Sequence, residues 1–270
     1  METNSSFRVR KNTLKFTDYL SSHFSHNGRT DLESICKEEK LSILTDDYQG
    51  YFDGMLVWDG QEFNIHLDIS KGNTPDSKRG RFTLAHELGH YFTEYHREGI
   101  KTGVIPEHCS THSLLHDDRI ELEADFFAAN LLMPEQRLKA LTSRKKFSLD
   151  IIKEISEYFD VSLTAALLRF KDVGTHDIMI VFSRDNKVVW SLRSERFPKL
   201  AQKFRAGSAL PPTSVAGESF RKENAQYTTA EKLELDDWFE DRGWSPGSQL
   251  YEQCFYSKQY DFVASLIWFD

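Results

Sequence analysis

The sequence predicts an α+β protein in two parts, and three observations support this class. Helical patterns over 16–24 and 31–39 precede strand patterns over 41–44, 54–58 and 62–67. Helical patterns then dominate from about 79 to 171, and paired strand patterns return after about 174. The 270 residues, 39% hydrophobic and 28% charged, are enough for a full core and for two domains. Segregated runs of helices and strands are typical of the α+β class.

The N-terminal part is predicted to form two helices followed by a small sheet. Thr30 or Asp31 suits the N-cap of the second helix, because a short polar side chain satisfies the first free amides. The strand patterns carry aromatic and β-branched residues, and Asp59-Gly60 between the last two is a hairpin turn signal. A sheet therefore precedes the first long helix of the central part.

That helix, predicted over 79–95, carries the pattern His86-Glu87-x-x-His90. Residues four apart lie on one face of a helix, so both imidazoles can bind a single cation. The carboxylate of Glu87 lies beside them and can act on a water activated by that cation. A lone histidine on such a face is usually a core residue, but two with a glutamate between them favour a metal site.

A second predicted helix, 117–133, ends before Pro134 and supplies the missing third ligand. Glu121 and Asp125 share one of its faces, so we expect Glu121 to bind the metal. Asp125 would then accept a hydrogen bond from a ligand histidine. Glu123 is the competing ligand, but it lies about 200° around the helix from Glu121. The alternative interpretation of the acidic residues in 117–133 is a solvated face of the helix.

The two helices together resemble the ImmA/IrrE family of metallo-endopeptidases. The resemblance covers roughly 30–170 and rests on two motifs, Arg81-Phe82-Thr83-Leu84-Ala85-His86-Glu87-Leu88-Gly89-His90 and Glu121-x-x-Ala124-Asp125-x-Phe127-Ala128-Ala129-x-Leu131-Leu132-Met133-Pro134. It implies a zincin-like, gluzincin-type core and a protein substrate, typically a helix-turn-helix transcriptional repressor that binds DNA. The family often has Asn where this chain has Asp125, and Asp orients a histidine at least as well.

The predicted activity is zinc-dependent peptide hydrolysis by an endopeptidase. One zinc ion held by His86, His90 and Glu121 would activate a water, with Glu87 as the general base. The fourth coordination position stays open for that water. Two imidazoles and one carboxylate also accept manganese or another divalent metal, so the sequence does not fix the metal.

Three histidines, His108, His112 and His116, recur at four-residue intervals between the two ligand-bearing helices. They suit a second metal cluster, an exposed polar linker, or a group that stabilises the oxyanion or contacts the substrate. The linker is the commonest explanation for such a segment, and the sequence does not choose among the three.

The three cysteines, Cys36, Cys109 and Cys254, are odd in number and widely spaced, which argues against a disulfide framework. The N-terminus lacks the apolar core of a leader, and no stretch approaches the ~18 apolar residues that span a bilayer. We therefore expect a cytoplasmic location and no membrane partner. The net charge of −8 disfavours direct binding to nucleic acid.

The predicted division is a zincin-like core over 1–134, a helical helix-turn-helix-like segment over 135–173, and a second, α+β C-terminal domain over 174–270. The helical segment resembles a helix-turn-helix but is poor in base-reading side chains, which favours packing or substrate recognition over DNA reading. The C-terminal domain is predicted to hold two strand pairs and a helix over 196–206. Its aromatic strand faces form a core by default, with a ligand pocket or a protein-docking surface as alternatives.

Two other functions stay open at this point. The chain could be a transcriptional regulator that keeps the metal site for structure, although an intact Glu87 is not needed there. It could also be a ligand-gated sensor whose C-terminal domain controls a latent protease.

Overall fold

A computed structural model describes residues 4–105, 118–219, 228–240, 247, 249–257 and 261–270. The chain divides into two compact units, Met1–Arg137 with Ile155–Ala165, and Leu138–Glu154 with Ala166–Asp270. Both units are mixtures of helices and strands, so the predicted α+β class is confirmed. The predicted domains, 1–134, 135–173 and 174–270, stay predictions.

The first unit carries five helices and five strands among its described residues up to 132. In chain order they are α1 (Asn4–His23), β1 (Ser25–His26), β2 (Arg29–Thr30), α2 (Leu32–Glu38), β3 (Ser42–Asp46), β4 (Gly54–Trp58), β5 (Phe63–Asp68), α3 (Lys78–Phe92), α4 (Glu94–Thr102) and α5 (Arg119–Leu132). Helix α2 begins at the predicted N-cap Asp31, whose carboxylate accepts the backbone N–H of Ser34 at 3.0 Å. The hydrogen bonds from the Ser34 hydroxyl and amide lower the pKa of Asp31.

Strands β3, β5 and β4 form a three-stranded sheet in that order, with β3 parallel and β4 antiparallel to β5. Because side chains alternate along a strand, Gly54 and Leu56 of β4 share a face with their partners Leu67 and Ile65 of β5. Leu56, Ile65 and Leu67 are buried there, and Gly54 lies against helix α3. One edge strand of the sheet, β4, therefore runs beside the helix that carries Glu87.

Helices α3 and α5 pack closely because small residues line their contact. A Cβ built on Gly89 of α3 would lie 3.0 Å from the Cα of Ala124 on α5. Ala124 and Ala128 are fully buried, so small side chains leave room for the two helices to approach each other. Helix α1 covers the pair, with Phe16 against Phe92 at 5.0 Å between ring centroids. The two helices that carry the predicted metal ligands are thus held side by side.

The chain continues with three helices and then the second sheet. These elements are α6 (Glu135–Thr142), α7 (Leu149–Tyr158), α8 (Leu163–Val173), β6 (Ile178–Arg184), β7 (Lys187–Arg193), α9 (Val215–Ser219), β8 (Glu231–Leu233), β9 (Leu250–Ser257) and β10 (Phe262–Phe269). The sheet is antiparallel in the order β7-β6-β10-β9-β8, and β6 and β7 are joined by Asp185 and Asn186, both with positive φ. Two central residues in this conformation are typical of a tight hairpin turn.

Both faces of this sheet are covered within the second unit. One face packs on a cluster that includes Phe197, Trp238 and Phe239, all buried. On the other face Trp268 of β10 contacts Phe147, whose ring stacks on Phe170 of α8. The aromatic strand faces are therefore core.

The prediction of a helix over 196–206 is wrong. The structure has turns, bends and isolated bridges there, and Phe197 and Phe204 are buried in the cluster from an irregular backbone. Pro198 disfavours helical dihedrals at the residue before it and supplies no N–H, which explains the failure. Among the described residues no helix is both long and apolar enough to cross a membrane.

Candidate metal centre

The first turn of helix α3 is fixed by contacts with the preceding loop and strand β2. Ser77 is the N-cap, and its hydroxyl accepts the backbone N–H of Gly80 at 2.9 Å. A Cβ on Gly80 would lie 1.8 Å from the carbonyl oxygen of Thr74, so only glycine allows the loop to pass this close. The buried Arg81 donates from Nη2 to the carbonyl of Thr30 at 3.1 Å. These contacts set the rotation of the helix and hence the direction of its histidines.

His86, His90 and Glu121 form a buried cluster between helices α3 and α5. Their candidate ligand atoms all lie within 4.8 Å of one another. The two Nε2 atoms of His86 and His90 are 3.1 Å apart, and the Glu121 carboxylate lies 3.3 Å from each of them. The three residues are at most 6% exposed. Three nitrogen and oxygen donors therefore converge on one point inside the protein.

The donor set fits a divalent cation. Two imidazoles and a carboxylate are the protein ligands found at many catalytic zinc sites, which leave a further position open. Two imidazole nitrogens that face each other are favourable only when a proton or a cation lies between them. Because Glu121 lies at equal distance from both nitrogens, its charge compensates that of a cation bound by His86 and His90.

Asp125 of helix α5 fixes the orientation of His86. Its Oδ1 lies 2.9 Å from Nδ1 of His86, which directs the Nε2 lone pair of this imidazole toward the cluster. Burial by itself lowers the pKa of His86, but the hydrogen bonds with Asp125 and Glu121 outweigh it, and the pKa lies well above its ordinary value. A cation that binds here therefore displaces a proton from the imidazole.

The side chain of Glu87 lies against strand β4. It is 1% exposed, and a Cβ built on Gly54 would lie 2.7 Å from its Oε1. Thr83, one turn earlier, also contacts Gly54 and donates from its hydroxyl to the side chain of Asn73 at 2.9 Å. The Asn73 amide in turn donates to the carbonyl of Asp53 at 2.5 Å, which ties the start of β4 to helix α3. Glu87 is thus confined between its own helix and an edge strand.

Four further side chains, which the sequence did not single out as a group, are connected to one another next to His90 of the metal cluster. Helix α3 ends at Phe92, and α4 begins directly after Thr93, whose extended backbone separates the two helices. This break directs His96 into the interior, where it is fully buried beside His90. Glu123 lies near His96 together with Tyr95 and Arg119. The sequence feature that indicates this break is the Thr93-Glu94 pair, which is typical of a helix start.

Residues 71–171 match the peptidase family model described as the IrrE N-terminal-like domain. This segment contains helices α3 and α5 and the whole His-His-Glu cluster. Over this segment the chain is similar to the ImmA/IrrE family of metallopeptidases.

A curated relative and a solved structure are also similar to this chain. The metallopeptidase ImmA of Bacillus subtilis (strain 168) is 27% identical over 152 residues, which are 55% of this chain and 80% of that protein. A solved structure described as a Mycobacterium tuberculosis transcriptional regulator matches with a TM-score of 0.60 at 12% sequence identity. The match covers 97% of this chain and 76% of that one, and it shows similarity of fold alone.

The similarity to the ImmA/IrrE family supports a metallopeptidase, and the buried cluster suits a divalent metal. The individual roles of His86, Glu87, His90, Glu121 and Asp125 stay predictions. His108, His112 and His116 lie outside the described residues, so none of the three interpretations of these histidines is decided.

Proposed function

We propose that this chain is a member of the ImmA/IrrE family and a zinc-dependent endopeptidase that cleaves a helix-turn-helix transcriptional repressor. The observation that carries the proposal is the buried cluster of His86, His90 and Glu121, with the Glu87 carboxylate next to it on the same helix. The repressor as substrate rests on the sequence resemblance to the family. A zincin-like core over 1–134 is part of the proposal, supported by the packing of helix α3 beside a small sheet.

His86, His90 and Glu121 are proposed to hold the metal, with Asp125 behind His86. When bound, a zinc ion supplies a Lewis acid that activates a water and polarises the scissile carbonyl. The short Asp125 contact keeps the His86 ring in the tautomer that presents Nε2 to the cation. Two imidazoles and one carboxylate favour zinc among the metals available to a protein, although manganese fits the same donors.

Glu87 is proposed to be the general base. It takes a proton from the attacking water and delivers it to the leaving amine, which is worth about 10²–10⁴ in rate for a well-positioned group. Its confinement supports this role, because the carboxylate is held beside the cluster by Gly54 on one side and its own helix on the other. A base with few alternative positions loses little conformational entropy when it is oriented for the reaction.

The free edge of strand β4 is the proposed docking edge for the substrate. β4 pairs with β5 on one side only among the described residues, and its first residue, Gly54, lies next to Glu87. An extended peptide that adds to this edge would pass the general base with its backbone aligned by main-chain hydrogen bonds. The other edge strand, β3, is separated from β4 by β5 and is less suited to this role.

The helical segment over 135–173 and the C-terminal domain are proposed to recognise substrate or a regulatory partner. Of the three side chains in α8 and its N-terminal flank that are able to contact DNA, Thr164 and Arg169 are buried, which supports packing over base reading. Together with the net charge of −8, this disfavours the alternative of a DNA-binding regulator.

The test is cleavage of the helix-turn-helix repressor encoded beside this gene, with and without a chelator. Wild type is expected to cleave it only with metal, and Glu87→Gln is expected to bind metal equally and lose at least about 10²-fold in rate. Glu94→Gln, at an exposed position on α4, is the matched control and should cleave normally. Cleavage by Glu87→Gln at the wild-type rate would refute the proposed base, and absence of cleavage despite bound metal would refute the proposed substrate.

A further inference from the structure

Glu123 holds a group of side chains on the side of the metal cluster that faces helix α4. Its Oε1 accepts from Nε of Arg119 at 2.8 Å, and its Oε2 accepts from the phenol of Tyr95 at 2.5 Å. Nε2 of His96 lies 3.6 Å from the same Oε2. The carboxylate is only 12% exposed, so its position is fixed by these three neighbours and not by solvent. Glu123 is thus an anchored anion next to a buried imidazole.

His96 connects this anion to the metal cluster. The side chain is 0% exposed, and its ring centroid lies 5.1 Å from that of His90 with 44° between the ring planes. At this distance the two rings are in contact over their edges and faces. Tyr95 also packs on His96, with ring centroids 4.3 Å apart. The His96 ring therefore contacts two other rings, and one of them belongs to a candidate metal ligand.

The two candidate imidazole ligands have different supports. His86 is oriented through a direct carboxylate contact with Asp125 at 2.9 Å. His90 has the aromatic ring of His96 beside it, and behind that ring lies the carboxylate of Glu123. Groups behind a metal ligand fix its ring plane and tune its basicity, and their loss typically weakens metal binding about 10–100-fold.

We propose that His96, held in place by Glu123, is a positioning residue that sets the orientation of His90 toward the metal. The inference rests on the proposed function, because it requires His90 to be a ligand. It explains why a histidine occupies a fully buried position on α4. A buried polar ring is costly unless polar neighbours compensate it, and an apolar side chain would fill the same space at lower cost. The anchored carboxylate of Glu123, with Oε2 at 3.6 Å from Nε2 of His96, contributes an electrostatic contact to that compensation.

Tyr95 donates to the Glu123 carboxylate as a neutral phenol. Burial and the hydrogen bond to Glu123 raise the pKa of the Tyr95 phenol, so it stays a neutral donor at physiological pH. Arg119, a permanent cation, neutralises the carboxylate from the other side. The anion therefore keeps its place without leaving an uncompensated charge near the cluster.

Three variants of the full-length protein test the proposal: His96→Phe, Glu123→Gln and the double variant. His96→Phe keeps an aromatic ring against His90 but loses the polar contact, and Glu123→Gln keeps the shape but loses the charge. Each is expected to weaken zinc binding about 10–100-fold, measured by competition with a chromophoric chelator. Each is also expected to change the visible absorption of the cobalt-loaded protein, which reports ligand geometry. The double variant should bind zinc as tightly as the single variant with the lower zinc affinity, because the two residues act as one unit.

Matched controls separate positioning from general packing. Ile100→Ala, one turn after His96 on the same buried face of α4, should lower the melting temperature and leave zinc affinity and the cobalt spectrum unchanged. Glu98→Gln, at an exposed site on α4, should change neither. If His96→Phe fails to fold, the cobalt spectrum and zinc affinity of Glu123→Gln decide.

The outcomes distinguish this inference from the proposed function. Wild-type protein that binds no zinc would refute the metal site itself and the inference with it. Wild-type protein that binds zinc, with His96→Phe and Glu123→Gln both at wild-type affinity and with unchanged cobalt spectra, would overturn only the role of His96. Strictly additive losses in the double variant would also overturn it, since independent residues do not form one support.

Discussion

Replacement of Gly54 by alanine tests the placement of Glu87 directly. The added Cβ would lie 2.4 Å from Cγ2 of Thr83 and 2.7 Å from Oε1 of Glu87, about 0.7–1 Å short of an ordinary contact. The methyl of Thr83 has little freedom to rotate away, because its hydroxyl donates to Asn73 at 2.9 Å. Glu87 or strand β4 must therefore move, and a displacement of about 1 Å in a catalytic group costs about 10²-fold in rate.

We expect Gly54→Ala to lower kcat/KM for repressor cleavage about 10–100-fold and to leave zinc affinity within about twofold, since the ligands are untouched. Overpacking should also cost about 1–3 kcal/mol of stability, or a few degrees in melting temperature. Gly247→Ala is the matched control, because none of the described residues comes within 4 Å of the added methyl. Wild-type kcat/KM and stability in Gly54→Ala would refute the inferred contact between β4 and Glu87.

Three further predictions concern the metal, the pH dependence of stability and the second unit. Asp125→Ala removes the carboxylate behind His86 and should weaken zinc binding about 10–100-fold in the chelator competition; unchanged affinity would show that the ring is held by other groups. Asp31→Ala should cost about 1 kcal/mol at pH 7 through loss of a helix cap. Because the folded pKa of Asp31 is lowered, its stabilisation is complete above the ordinary carboxyl pKa of about 4 and is lost as the pH falls through the lowered value. The urea midpoints of wild type and Asp31→Ala should therefore converge on acidification, and a constant gap down to about pH 2 would contradict this. Glu252→Ala leaves the indole N–H of Trp238 and two backbone amides without their buried acceptor, and should cost about 2–4 kcal/mol in a thermal melt; a loss under about 0.5 kcal/mol would show that water replaces the carboxylate.

Much of the candidate site follows from local spacing. The four-residue separation of His86 and His90, and of Glu121 and Asp125, places each pair on one face of its helix. The structure brings His86, His90 and Glu121 together and sets Asp125 against His86. These are contacts that helical periodicity and small interface residues predict without knowledge of the remaining chain.

The parts that sequence reasoning missed depend on long-range geometry. The burial of His96 depends on the backbone break at Thr93, and the distance between Gly54 and Glu87 depends on which strand forms the sheet edge. Neither is visible as a periodic pattern, because the partners are separated by many residues or by a change of chain direction. Gly54 carries no side chain to signal its role.

Strand and helix boundaries were likewise predicted where local sequence signals delimit the element and were missed where such signals are absent. Helix 135–142 and strand 54–58 were predicted with the bounds that the structure has, since a proline and a turn signal delimit them. Helix α1 begins at Asn4, much earlier than the predicted 16, because its stability comes from packing on helix α5 more than from intrinsic propensity. The hairpin of β1 and β2 was missed, since its two-residue strands are too short to show alternation.

The contact between Gly89 and Ala124 has a consequence for the choice among ions. An alanine at Gly89 would require the two helices to separate by a few tenths of an ångström, and we expect Glu121 to move away from His86 and His90 by a similar amount. That distance is comparable to the difference between zinc–oxygen bonds of about 2.0–2.2 Å and calcium–oxygen bonds of about 2.3–2.6 Å. In the proposed metal site, the close contact at Gly89 would therefore favour an ion of the size of zinc over one of the size of calcium.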